Sequence, residues 1–94
     1  MIRITVHSEV QGTRLVLEGK LSGPRVDELR KCWQQVISSP PPSVQVNLTD
    51  LTEIDSEGKE LLAQLHHQGA KLIGSGVMVE ALIEEIVRGQ DDQN

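Results

Sequence analysis

The residues best placed to do chemistry are Asp55, Ser56 and Glu57, two carboxylates flanking a hydroxyl, with Gly58 directly after them. Upstream, Val44-Gln45-Val46-Asn47-Leu48 alternates apolar and polar residues, as a strand with one buried face does. Downstream, Gly58, Leu61, Leu62 and Leu65 recur at the helical spacing i, i+3, i+4, i+7. A corner where a strand ends and a helix begins leaves backbone N–H groups pointing outward, which suits recognition of an anion or a partner. The corner supports two readings. Either Asp55 or Ser56 is simply the N-cap of the helix, a role worth about 1 kcal/mol. Alternatively, Ser56 is a phosphoacceptor. A phosphate there adds roughly two negative charges, favoured locally by the helix dipole but repelling an acidic or apolar partner surface. Gly58 permits close approach at such a turn, while Glu57 sets a carboxylate beside any added phosphate.

Other reactive residue types carry less. His66 and His67 are adjacent on the helix and point about 100° apart, so they cannot chelate one ion together, and a solvated helix face is expected. The acidic residues Asp50, Glu53, Asp55, Glu57 and Glu60 cluster around the corner but lack the spacing of a calcium loop. Cys32 stands alone, with no second thiol for a disulfide or zinc cluster, and reads as a small semi-buried hydrophobe. Trp33 falls in an apolar stripe and reads as a core anchor. Gly74-Ser75-Gly76 reads equally well as an anion-binding turn or as a plain strand-to-helix turn. No nucleophile, base and orienting group stand together, so no enzyme activity, no metal and no cofactor are expected.

The elements that must position the corner follow from periodicity. Ile2, Ile4 and Val6 alternate with Arg3, Thr5 and His7 as a first strand. Glu9-Val10-Gln11-Gly12 turns the chain into a second strand over Thr13 to Leu17, and so short a gap implies an antiparallel hairpin. Glu18 to Gly23 is loosened by its glycines. Pro24 then opens a helix at its first position, with Val26, Leu29, Trp33, Val36 and Ile37 on one face. That helix should stop before Ser38-Ser39-Pro40-Pro41-Pro42. A strand from Val44 to Leu48 leads through Thr49–Glu53 into the corner, and the second helix runs from about Ser56 to Gln68. Ala70 to Gly74 is a short strand. The last helix opens at Ser75-Gly76, carries Val79, Leu82, Ile83 and Ile86 on its apolar face, and stops at Gly89. The expected fold class is α/β: a small mixed sheet with an N-terminal hairpin, in the order β-β-α-β-α-β-α, with helices packed on the sheet. One domain over 1–89 and a frayed tail over 90–94 are expected.

Composition narrows the class. The 94 residues carry a net charge of −5 and a single aromatic residue, Trp33. Phosphate repulsion and the lack of stacking platforms argue against a nucleic-acid partner. No apolar run approaches the ~20 residues a membrane helix needs, and no signal peptide precedes the first strand, so direct membrane insertion is not expected and a cytoplasmic location is.

The run Val46-Asn47-Leu48-Thr49-Asp50-Leu51-Thr52-Glu53-Ile54-Asp55-Ser56-Glu57-Gly58, followed by Leu61-Leu62 and Gly69-Ala70-Lys71-Leu72, resembles the STAS domain of sulfate transporters and anti-sigma factor antagonists. Leu17-Glu18-Gly19-Lys20-Leu21 is similar to the family's segment before the first helix. The likeness extends from about Leu15 to Ile86. It implies a mixed sheet with helices packed around it. In antagonist members the serine after the aspartate is phosphorylated by an anti-sigma factor that is also a kinase, and the unphosphorylated form binds that factor. That position corresponds to Ser56, and the aspartate to Asp55. The resemblance thus implies a bacterial signalling protein that regulates transcription, with Ser56 as phosphorylation site and Asp55, Ser56, Glu57 and Gly58 as the partner-binding turn. Its implied partner is an anti-sigma factor of the serine-kinase type. The alternative is a constitutive subunit of a transport or stress-signalling complex, in which Ser56 only caps the helix. A homodimer is compatible with either. Glu57 stands where the family commonly has a small residue, and Lys59-Glu60 replaces its usual apolar pair.

Overall fold

Ile2 to Glu9 (β1) and Gly12 to Leu21 (β2) form the expected antiparallel hairpin, turned by Val10 and Gln11. The computed structural model describes residues 2–91. After the hairpin come α1 (Arg25–Ser38), β3 (Val44–Ile54), α2 (Ser56–His67), β4 (Lys71–Ile73) and α3 (Val77–Asp91). The sheet order is β1-β2-β3-β4, and β3 lies parallel to both β2 and β4. The two crossovers, β2-α1-β3 and β3-α2-β4, step the same way across the sheet. Right-handed connections then set both helices on one face. There α2 packs between α1 and α3.

One cluster of apolar side chains joins the layers. Leu15, Leu17 and Leu21 of β2 and Val46, Leu48 and Leu51 of β3 meet Val26, Leu29 and Trp33 of α1 and Leu61, Leu62 and Leu65 of α2. The helical stripe read from the sequence is fully realised, since Gly58, Leu61, Leu62 and Leu65 are all buried. On the opposite face of the sheet, Arg14, Gln45 and Lys71 stand side by side across β2, β3 and β4, and all are exposed. Trp33 is 6% exposed, as a core anchor should be. Its Nε1 donates to Gln68 Oε1 at 2.7 Å, which ties α1 to the residue capping the end of α2. Cys32 is half-buried, and burial pushes its thiol pKa up. Such a thiol is a poor nucleophile.

Several boundaries differ from the sequence reading. The strand β3 does not end at Leu48 but continues through Thr49–Glu53 to Ile54. Its pairing with β2 shifts register twice, between Val16 and Glu18 and between Gly19 and Lys20, each time with an extra residue on β3. These bulges space the inward side chains as Leu48, Leu51 and Ile54, so the two-residue alternation disappears while the strand goes on. β2 likewise extends through the glycine-containing segment to Leu21. Pro24 occupies the N-cap of α1 rather than its first turn, and α1 runs through Ser38. Finally, Gly89 does not stop α3, which reaches Asp91. An ion pair between Arg88 and Glu84, one turn apart, supports that last turn. Of the expected tail, residues 92–94 lie outside the described residues. No helix among the described residues is long and apolar enough to cross a membrane.

Burial and the Trp33–Gln68 bond differ in scale, and denaturation should separate them. Leu62 is 0% exposed, so Leu62→Ala is expected to cost about 2–5 kcal/mol in urea titrations followed by circular dichroism. Trp33→Phe keeps most of the apolar volume and loses one hydrogen bond, and should cost about 1–2 kcal/mol.

Candidate functional site

The corner is built by Asp55. It follows β3 in an extended conformation (φ −98°, ψ −178°) and is the N-cap of α2. Its Oδ1 accepts from the Gly58 N–H at 2.8 Å, and its backbone carbonyl accepts from the Lys59 N–H at 3.0 Å. Those bonds satisfy two donors of the first turn. Its Oδ2 reaches away from the helix and accepts from the Gly23 N–H at 2.9 Å. Gly23 takes φ +58°, a left-handed conformation suited to glycine, in the turn between β2 and α1. The Asp55 N–H completes the joint by donating to the Leu21 carbonyl at 3.2 Å. Bonds from Gly23 first, then Gly58, hold the Asp55 carboxyl below the usual carboxylate range. It is ionised at neutral pH.

Gly58 is not open to a partner. It is buried, and a Cβ built on it would lie 2.7 Å from the Leu21 carbonyl oxygen and 2.8 Å from Ile54 Cγ1. The glycine expected to admit a partner instead admits the end of β2 against the first turn of α2. Of the four residues read as the partner-binding turn, Asp55 and Gly58 are therefore turned inward and Ser56 and Glu57 are exposed.

Ser56 is the first residue of α2, and Asp55 rather than Ser56 caps the helix. The cap role proposed for Ser56 is thus overturned: among the described residues its hydroxyl has no hydrogen-bond partner. By helix geometry the N–H groups of Ser56 and Glu57 also lack an intrahelical acceptor. A free hydroxyl therefore sits over free donors at the positive end of a helix, with the Glu57 carboxylate beside it.

A shallow groove of about 420 Å³ opens next to this corner. Leu51 and Ile54 of β3, Lys59 of α2 and Met78, Val79 and Leu82 of α3 line it. Lys59 Nζ and Glu85 Oε1 pair across its rim at 3.5 Å. Met78 is 75% exposed and Val77 89% exposed. Sequence reasoning missed this surface. A signal was present in Met78, which falls about 100° from Val79 on the helix and so lies at the margin of the Val79–Leu82–Ile83–Ile86 stripe rather than within it.

The remaining candidates resolve as structural. Among the described residues no group of three or more His, Cys, Asp or Glu side chains could hold a metal ion, and Asp50, Glu53, Glu57 and Glu60 point into solvent. His67 is exposed, but His66 is only half-exposed, with a buried Nδ1 that has no protein partner, so the pair is not the wholly solvated face expected. In the Gly74-Ser75-Gly76 turn two backbone donors are already used. The Ser75 N–H donates to Thr49 Oγ1 at 3.2 Å and the Gly76 N–H to Glu80 Oε2 at 3.2 Å. The plain-turn reading holds there.

The sheet order, one-sided helix layer and capped βα corner define a small α/β domain whose Asp55 corner lies at the carboxyl ends of its parallel strands. Its architecture is similar to that of an anti-sigma factor antagonist from Mycobacterium paratuberculosis. The two superpose with a TM-score of 0.81 over 98% of this chain and 81% of that one, at 18% sequence identity. The chain has a STAS-like fold. No family model and no curated protein matches the sequence.

Substitutions at the corner should separate frame from surface. Ser56→Ala is expected to leave the melting temperature unchanged within error, whereas Asp55→Ala should lower it clearly. Gly58→Ala forces Cβ against a carbonyl, and about 1–3 kcal/mol of destabilisation is expected in urea titration. The Asp55 contribution is set by a folded-state pKa lower than the unfolded value near ~3.9. It is present in full above that value and is lost as the pH falls through the folded pKa. The stability gap between wild type and Asp55→Ala should therefore hold from neutral pH to about 4 and close below it.

Proposed function

We propose that this chain is a protein-protein interaction module of the anti-sigma factor antagonist type, read by its partner at the Ser56–Glu57 surface and switched by phosphorylation of Ser56. The observation that carries the reading is the free, exposed Ser56 hydroxyl at the start of α2, released from capping by Asp55. A kinase can reach that oxygen without breaking a hydrogen bond of the fold. The added phosphate meets the helix dipole and two unused N–H groups, so the turn tolerates it. The partner meets something different: roughly two new negative charges, set beside Glu57 and next to the apolar groove. An apolar or acidic partner surface that docks over Leu51, Ile54 and Met78 is expelled by that charge.

The structural neighbour's description as an anti-sigma factor antagonist supports a partner of the anti-sigma factor class. The resemblance of the Asp55-Ser56 run to the STAS domain implies that such a partner is also the serine kinase that supplies the phosphate. The chain itself acts by binding rather than by turnover, with no metal or cofactor, and its setting is the bacterial cytoplasm. Homologous positions aside, the chemistry asks only for a hydroxyl, a helix start and an adjacent docking surface.

The test is affinity purification from the native cell with wild type, Ser56→Ala and Ser56→Asp as baits, together with intact mass and phosphopeptide mapping. Wild type isolated from cells is expected to carry phosphate on Ser56 in part. Ser56→Ala should retain a kinase-like partner and Ser56→Asp should lose it by about tenfold or more, a difference of about 1.4 kcal/mol. Equal recovery of one partner by all three baits, with no phosphate on Ser56, would instead mark a constitutive subunit of a transport or signalling assembly.

A further inference from the structure

Among the described residues β1 is an edge strand, hydrogen-bonded only to β2. Its eight residues pair with β2 without a register shift and include no proline. Edges are usually blunted by shortness, bulges or proline, and β4, the other edge, has only three residues. β1 has none of these protections.

The groups it leaves open can be read from β2. The Thr13 N–H donates to the Ser43 carbonyl at 2.8 Å, toward β3. Backbone groups along a strand alternate sides, so Arg14, Val16 and Glu18 turn toward β1 and bond their partners His7, Thr5 and Arg3. The N–H and C=O groups of Ile2, Ile4, Val6 and Ser8 therefore face the open edge. The apolar cover is also incomplete here, with Val6 46% exposed and Val10 97% exposed.

We propose that two copies of this chain pair antiparallel through β1, about a two-fold axis at Val6, to form one continuous sheet of eight strands. In that register Val6 lies opposite its own copy and Ile4 opposite Ser8, so the open backbone groups are the ones that pair. Thr5 falls opposite His7. Arg3 falls opposite Glu9 twice, once on each side of the axis, and Ile2 comes alongside Val10. An axis at Thr5 sets Arg3 against His7 and leaves Val10 without a neighbour, and an axis at Ile4 leaves both Glu9 and Val10 unmatched. Charge and apolar complementarity thus select the Val6 axis among the registers the backbone allows. A single strand pair is a small interface, so the dimer forms in a concentration-dependent manner, with a dissociation constant of about micromolar order. β2 separates β1 from β3, so pairing leaves the Asp55–Ser56 corner open on both copies.

Sedimentation equilibrium of the full chain from about 5 to 300 µM, with amide exchange measured at both ends of the range, tests this. A monomer–dimer equilibrium is expected. The amides of Ile4, Val6 and Ser8 should become protected as concentration rises, while those of Thr5 and His7 are protected throughout. Val6→Lys places two like charges at the axis. Ser8→Pro removes a donor that faces the open edge and breaks no bond to β2. Each should raise the dissociation constant at least tenfold. A chain that stays monomeric at the highest concentration overturns the proposal. So does a dimer in which Ile4, Val6 and Ser8 still exchange freely, or one that survives both substitutions in folded protein. The exchange pattern is read on wild type, so it decides even where a substitution disturbs the hairpin.

Discussion

One carboxylate joins two neighbouring βα corners of this domain, β2–α1 and β3–α2. Asp55 accepts from Gly23 with one oxygen and from Gly58 with the other, while its own N–H reaches Leu21. The ends of the neighbouring parallel strands β2 and β3, and the starts of α1 and α2, are thereby fixed at a single point. The joint is tight at the third residue of α2, where a side chain would press on the Leu21 carbonyl, and that is the place of Gly58. The layering above the sheet depends on that angle of departure. With α2 held against Leu21, its Leu61–Leu62–Leu65 face drops onto β2 and β3, and α1 and α3 close on either side.

This joint also divides labour between neighbouring residues. Asp55 and Gly58 serve the frame and face inward; Ser56 and Glu57 face solvent and are free to serve a partner. A phosphate on Ser56 would gain about 0.3–1 kcal/mol from the helix dipole, while the nearby carboxylates act against it. The two effects are of similar size locally, so the modification leaves the fold nearly untouched. Its weight falls on what lies alongside: a groove of Leu51, Ile54 and Met78 that would have to bury the new charge when covered.

Much of this was legible in the residues, and the failures have physical causes. The α2 stripe was read correctly because that helix is buried along one face only, which keeps the 3.6-residue period clean. The hairpin and the parallel strands followed from short and long connections. The strand β3 was cut short at Leu48 because two bulges replace alternation with three-residue steps while inward packing continues. Gly89 reads as a stop in the sequence, yet a glycine near a helix end costs only about 1 kcal/mol and the Glu84–Arg88 pair offsets part of it. The choice between Asp55 and Ser56 as cap was beyond local reading, since both are good caps. It is decided by Gly23, thirty-two positions away in sequence and supplying a second donor only a carboxylate can also satisfy.

The unengaged hydroxyl of Ser56 has a consequence for how such a domain can change over time. A position that the fold does not use can mutate without a stability penalty, so what this surface presents and what holds the scaffold can change separately. A chain of this design can exchange serine for threonine, or lose the hydroxyl altogether, and remain the same folded object. Under the proposed switch, single substitutions at Ser56 would gain or silence regulation while Asp55 and Gly58 stay fixed by geometry.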